Sequence, residues 1–128
     1  VIEKLMLVAL GGAVGASARF LAVTGAIRLL GPGFPWGTVI VNVAGSIAMG
    51  VLVVLLIERL PGGGARLAPL LMTGVLGGFT TFSAFSLDAI QLVERGRWLA
   101  AAGYVSSSVI LSILGLALGL AIARALIA

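Results

Sequence analysis

The chain has 128 residues, of which 61% are hydrophobic and 9% charged, with a formal charge of +4 and neither cysteine nor histidine. A soluble domain carries roughly 25% charged residues, so this much apolar surface has no place in water and the bilayer is the expected solvent. Disulfides, thiolate chemistry, Cys/His metal sites and histidine acid–base catalysis are excluded, and positive charges scattered over loop ends read as membrane flanks, not a nucleic-acid patch.

At about 20 residues per span the length admits roughly four helices in one domain over residues 1–128. Apolar runs lie at about 4–29, 36–58, 67–93 and 98–124. The first carries Gly11, Gly12, Gly15 and Arg19 and continues past Ile27. It reads as a spanning helix rather than a signal peptide, which is shorter and ends in a small-residue cleavage site. A charge near mid-bilayer costs at least ~2.5–3.5 kcal/mol and marks a pathway or a pair. Arg19 therefore has two compatible readings: a structural pair with Asp88, or a vestibule cation that draws anions inward.

Gly31-Pro32-Gly33-Phe34-Pro35 is turn chemistry that ends the first run. On the second, Thr38, Asn42 and Ser46 recur at i, i+4 and i+8 and form one polar stripe. Pro61-Gly62-Gly63-Gly64 separates it from the third run, whose middle reads Gly77-Gly78-Phe79-Thr80-Thr81-Phe82-Ser83-Ala84-Phe85-Ser86. Adjacent glycines weaken the helix there and hydroxyls interrupt its apolar surface. Irregular backbone at membrane depth survives only where protein or a water-filled cavity satisfies it, and in transporters such broken helices bind ions. The third helix is predicted to break near the midplane. The fourth run follows Arg95-Gly96-Arg97 and repeats the stripe with Tyr104, Ser108 and Ser112.

Four spans place Lys4, Arg59, Arg66 and Arg124 at one membrane face and Arg28, Arg95 and Arg97 at the other. Loop Lys/Arg bias normally sets orientation. This near-balance leaves two readings: one extra charge decides, or copies insert both ways up and pair antiparallel. The stripes, Phe82, Phe85, Asp88 and Arg19 all crowd toward the face bearing Arg28, Arg95 and Arg97. One subunit then has a polar half and a sealed half, and an inverted partner would supply lining across the full thickness. Small residues at i, i+4 (Gly11/Gly15, Gly74/Gly78, Gly115/Gly119) permit close helix contact, and ordinary packing is their simpler account.

Asn42 offers an amide donor, and Ser83, Tyr104, Ser108 and Ser112 offer hydroxyl donors, to an anion without any proton change. Phe82 and Phe85 share a helix face, and their positive ring edges could solvate a small, hard anion; apolar packing also accounts for them. Carbonyls freed around Gly77–Thr80, doubled by a partner at a two-fold axis, would make an oxygen cage for a hard cation such as Na⁺.

Three segments together resemble the signatures of the Fluc (CrcB) fluoride channels: Gly11-Gly12-Ala13-Val14-Gly15-Ala16-Ser17-Ala18-Arg19-Phe20, Gly37-Thr38-Val39-Ile40-Val41-Asn42-Val43-Ala44-Gly45-Ser46, and the Gly77–Ser86 decad. The resemblance covers the chain in order, and the third motif is highly specific. It implies an all-α membrane protein with four transmembrane helices per subunit, an antiparallel dual-topology homodimer in the inner membrane of a prokaryote. Two pores would export fluoride passively; no enzyme activity, organic cofactor or nucleic-acid partner is implied. The resemblance maps a central, non-transported Na⁺ to the backbone carbonyls of Gly77 and Thr80, the phenylalanine pair to Phe82 and Phe85, and the pore asparagine to Asn42. It maps the polar track to Tyr104, Ser108 and Ser112 and the vestibule arginine to Arg19; Thr38 and Ser83 are further candidate lining from the stripe and the hydroxyl chemistry. Ala84 stands where the family commonly has threonine, and Asp88 where glutamate is usual.

Two other functions fit a small four-span chain. A proton-coupled small multidrug transporter needs a carboxylate inside the membrane, yet Glu3, Glu58, Asp88 and Glu94 fall at or near span ends. A non-transporting assembly subunit needs neither the asparagine nor the hydroxyl stripes.

Overall fold

The computed structural model describes residues 1–60 and 62–127. Among the described residues, four helical segments are long and apolar enough to cross a membrane, Ile2–Leu30, Trp36–Glu58, Gly64–Glu94 and Trp98–Ile127. Each predicted run falls largely within one of them. The first, second and fourth are here α1, α2 and α5. The third divides into α3 (residues 63–79) and α4 (Phe82–Glu94), with Thr80 and Thr81 between them. Among the described residues there is no strand.

Local chemistry explains the joints. Gly31 closes α1 by donating its N–H to the Ile27 carbonyl at 2.9 Å, and its φ of 82° is one that side-chain-bearing residues rarely adopt. Gly96, at φ 74°, makes the corresponding turn between α4 and α5. At the opposite end, the Arg124 guanidinium grips both oxygens of Glu58 (2.8 and 3.3 Å), joining the ends of α5 and α2. The stretches Val53–Glu58 and Pro69–Leu76 follow wider, π-type turns, as in the Arg59 N–H bond to the Val54 carbonyl at 3.0 Å. Nothing in the apolar pattern had indicated them.

Glycines set the helix pairs. A methyl group on Gly11 would strike the Leu70 carbonyl and lie 2.9 Å from the Gly74 Cα, and one on Gly15 would strike the Val75 carbonyl. Gly78 answers from α3, its missing Cβ lying 2.8 Å from the Gly12 carbonyl. On the other side, Gly50 meets the Leu116 carbonyl and Gly119 meets that of Ile47. Without a hydrophobic drive between helices in lipid, such backbone-to-backbone approach is what associates them. The glycine pairs thus work inside one subunit, as the packing account expected. Leu10, Val14, Leu21, Ile110, Ile113 and Leu114 are left outward, as lipid-facing residues are. A compact cluster of Phe85, Leu92, Ala101 and Tyr104 joins α4 to α5.

Candidate functional site

The break is an exchange of hydrogen bonds. Thr80 (φ −84°, ψ 160°) and Thr81 (φ −153°, ψ 121°) are extended. In a continuing helix the Thr81 N–H would serve the Gly77 carbonyl. Here it donates to Asn42 Oδ1 at 2.8 Å, while Asn42 Nδ2 donates to the Thr81 carbonyl at 3.0 Å. The Ala84 N–H, which would serve Thr80, instead donates to Thr81 Oγ1 at 3.1 Å, making Thr81 the N-cap of α4. Gly77 and Thr80 thereby lose the donors a helix would give their carbonyls. The Gly78 carbonyl, between those two, accepts from Arg19 Nε at 3.0 Å. Thr80 turns its hydroxyl back to the Leu76 carbonyl (3.0 Å) and pushes its methyl into room that Gly45 leaves open.

This arrangement corrects one reading, the Arg19–Asp88 pair. Arg19 does not pair with Asp88, because the guanidinium is drawn to Gly78 and the carboxylate is engaged elsewhere. Asp88 Oδ2 accepts from Thr38 Oγ1 at 2.6 Å and from the Tyr104 hydroxyl at 3.0 Å. Thr38 and Tyr104, both buried, thus donate their hydroxyl protons to Asp88 in the single chain. Phe34 stands edge-on to the Tyr104 ring, 5.5 Å between centroids and 87° between planes, and Phe85 lies 5.2 Å away on another side. Asp88 also borders a second cavity, about 180 Å³, with Trp36, Gln91 and Arg95 on its walls.

Beside the break runs a groove of about 450 Å³ whose walls include Asn42, Ser46, Thr80, Thr81, Phe82, Phe85, Ser108 and Ser112. Asn42 and Ser46 of the first stripe and Ser108 and Ser112 of the second line it, whereas Thr38 and Tyr104 do not. Ser108 is 4% exposed, and its hydroxyl has no hydrogen-bond partner among the described residues. Such a group is uncommon, because leaving a buried hydroxyl unmade costs about 1–3 kcal/mol. The Phe82 and Phe85 rings sit 5.5 Å apart at 50°. Phe85 is 8% exposed, whereas Phe82 is 77% exposed and projects from the groove's edge.

The structure thus gathers Asn42, Phe82, Phe85, Ser108 and Ser112 into one groove and sets Thr38 and Tyr104 around Asp88. Ser83 stands apart, exposed, with its Oγ 3.5 Å from Thr81 Oγ1 and too far for a firm hydroxyl bond. Sequence reasoning missed Thr81 as cap and Asp88 as shared acceptor. A threonine opening a helix after a glycine-weakened stretch was the available signal for the first. No local pattern announced the second.

Four apolar spans, the third of them broken beside a groove lined by hydroxyl, amide and aromatic side chains, define a multi-pass membrane protein with no strand among its described residues. A family model described as "CrcB-like protein, Camphor Resistance (CrcB)" matches residues 6–120. Among curated relatives, one from Cereibacter sphaeroides is 61% identical over 123 residues, covering 96% of each chain. One from Paracoccus denitrificans is 54% identical over 121 residues, 94% of each chain, and one from Mesorhizobium japonicum is 51% identical over 123 residues, 96% of this chain and 98% of its own. All three are named fluoride-specific ion channel FluC. The chain belongs to the CrcB-like family, in agreement with the resemblance carried by its three motifs.

Proposed function

We propose that this chain is a fluoride-selective passive channel, not an enzyme, that exports fluoride across the cytoplasmic membrane as an antiparallel, dual-topology homodimer with two pores. The observation that carries the reading is the buried Ser108 hydroxyl without a partner, on the wall of a groove it shares with Asn42, Ser112, Phe82 and Phe85. A hydroxyl donor in a groove shared with aromatic rings suits a small anion that must shed water, since ring edges are positive and hydroxyls donate without changing protonation. The relatives' names and the extent of their likeness support fluoride as that anion.

Dimerisation is supported by incompleteness. The groove is open on one side, Phe82 extends from its edge, and the basic residues are nearly balanced between the two ends of the spans. An inverted second copy would close one groove with the aromatic edge of the other and give two equivalent pores. A hard cation fits the break: the Gly77 and Thr80 carbonyls, deprived of their helical donors, are the oxygen type that Na⁺ prefers. Bound there, Na⁺ would fix two breaks against each other at the dimer axis without being transported.

The test is efflux from liposomes bearing the purified chain, with fluoride and chloride compared under identical gradients and no proton gradient. Fluoride release far exceeding chloride release is expected. Equal release of both would defeat selectivity, and release only under a proton gradient would restore the multidrug-type reading.

A further inference from the structure

Arg19 was read from its charge, yet what the structure uses is its Nε–H. Gly11, Gly15 and Arg19 stand at i, i+4 and i+8, one stripe of α1, and each meets α3 in turn. Gly11 lies on Leu70 and Gly74, Gly15 on Val75 and Phe79, and Arg19 reaches the Gly78 carbonyl at 3.0 Å. The two glycines bring the helix backbones together, so the next member of the stripe is delivered to the break at a set height. Gly78 is pinned from behind as well, its backbone lying against Gly12 and Ala16. Of the carbonyls released where the helix stops, Gly78 is the one a side chain from α1 claims. Those of Gly77 and Thr80 lose their donors to Asn42 and to the Thr81 cap.

Resting on the cation reading above, we infer that Arg19 is a positioning residue of the helix break, acting through its Nε donor and not through its charge. By binding the Gly78 carbonyl it removes that oxygen from competition and fixes the peptide planes on either side, leaving Gly77 and Thr80 to face a cation. The arginine need not attract the permeating ion to be required.

Side-chain lengths separate the two roles. In Arg19→Gln the amide Nε2 sits the same number of bonds from Cα as arginine Nε, so the donor stays and the charge goes. In Arg19→Lys the charge stays, but the atom at that position is carbon and the donor moves one bond outward. Arg19→Met keeps length alone. Each full chain would be purified in detergent and its thermal unfolding followed while Na⁺ replaces N-methylglucamine at constant ionic strength, with fluoride efflux measured in parallel.

The Na⁺ concentration giving half the stabilisation is expected to stay within about threefold of the unsubstituted chain for Arg19→Gln, and to rise about tenfold or more for Arg19→Lys and Arg19→Met. Lysine matching arginine while glutamine and methionine fail together would overturn the proposal and make charge the operative property. All three variants matching the unsubstituted chain would also overturn it, as would an unsubstituted chain that conducts fluoride but gains no stability from Na⁺. Absence of fluoride efflux from the unsubstituted chain strikes instead at the functional reading, and the Na⁺ titration still decides the role of Arg19.

Discussion

α5 and the third span have much in common: both are long and apolar, and both carry glycines and hydroxyls in their middles. α5 nevertheless stays helical through Ser106, Ser107 and Ser108 and past Gly115 and Gly119, whereas the third span stops at Thr80. In α5, Ser107 bonds back to the Tyr104 carbonyl at 3.3 Å, a neighbour on its own helix. At the break, substitutes come from other helices: Asn42 for the Thr81 peptide and Arg19 for the Gly78 carbonyl. Weak helix formers alone do not interrupt a helix in lipid, where each orphaned peptide group is expensive. The interruption needs outside partners already in place.

Removing a partner is the most direct way to break this comparison. Asn42→Leu keeps bulk but strips both bonds from Thr81, each unmet group costing about 1–3 kcal/mol. The expected result is a sharp fall in folded protein, with residual protein passing fluoride at least about a hundredfold more slowly. Thermal unfolding and liposome efflux measure the two losses. Retention of full flux would show that the break does not depend on the asparagine clamp.

The phenylalanines come next, and their unequal burial predicts unequal effects. Phe85 contacts Tyr104 and belongs to the α4–α5 cluster, so Phe85→Ile should lower both stability, by about 1–2 kcal/mol, and flux. Phe82 is largely exposed in the single chain, so Phe82→Ile should leave subunit stability within about 0.5 kcal/mol and still reduce flux sharply. Unchanged flux in both would reduce the rings to packing.

A smaller effect is expected at the cap. Thr81→Ala removes the side-chain acceptor for the Ala84 N–H and should destabilise by about 1 kcal/mol, with Thr81→Ser largely restoring it. Equal losses in both variants would assign the effect to the threonine methyl.

Much of the architecture was legible because it depends on one helix at a time. The four spans, the turn glycines, the two polar stripes and the position of the interruption follow from hydropathy and spacing along single segments. What escaped depends on which helix crosses which. Asn42 was read as a donor for an anion, and its second role, clamping the Thr81 peptide 39 positions away through one N–H and its oxygen, was not foreseen. Asp88 was set opposite Arg19 by depth and sign, but Thr38 and Tyr104 reach it from α2 and α5. Ser83 belongs to the decad that marks the break, yet its direction on the first turn of α4 takes it out of the groove. Depth along a helix can be counted in sequence, while azimuth against another helix is fixed by packing.

The smallest predicted change sharpens the comparison within α5 itself. Gly50 and Gly119 are needed because a methyl at either would strike the facing backbone, but a Cβ at Gly103 would meet nothing within 4 Å in the single chain. Gly103→Ala should therefore leave the subunit's unfolding temperature unchanged or raise it, since alanine favours helix over glycine by up to about 1 kcal/mol. Its value lies in the assembled protein. If an inverted copy packs against that face of α5, the added methyl falls in the interface and lowers the dimer fraction without touching the subunit. Cross-linking yield measured beside unfolding separates these outcomes: a fall in yield at constant stability places the partner over Gly103, and unchanged yield leaves that face to lipid.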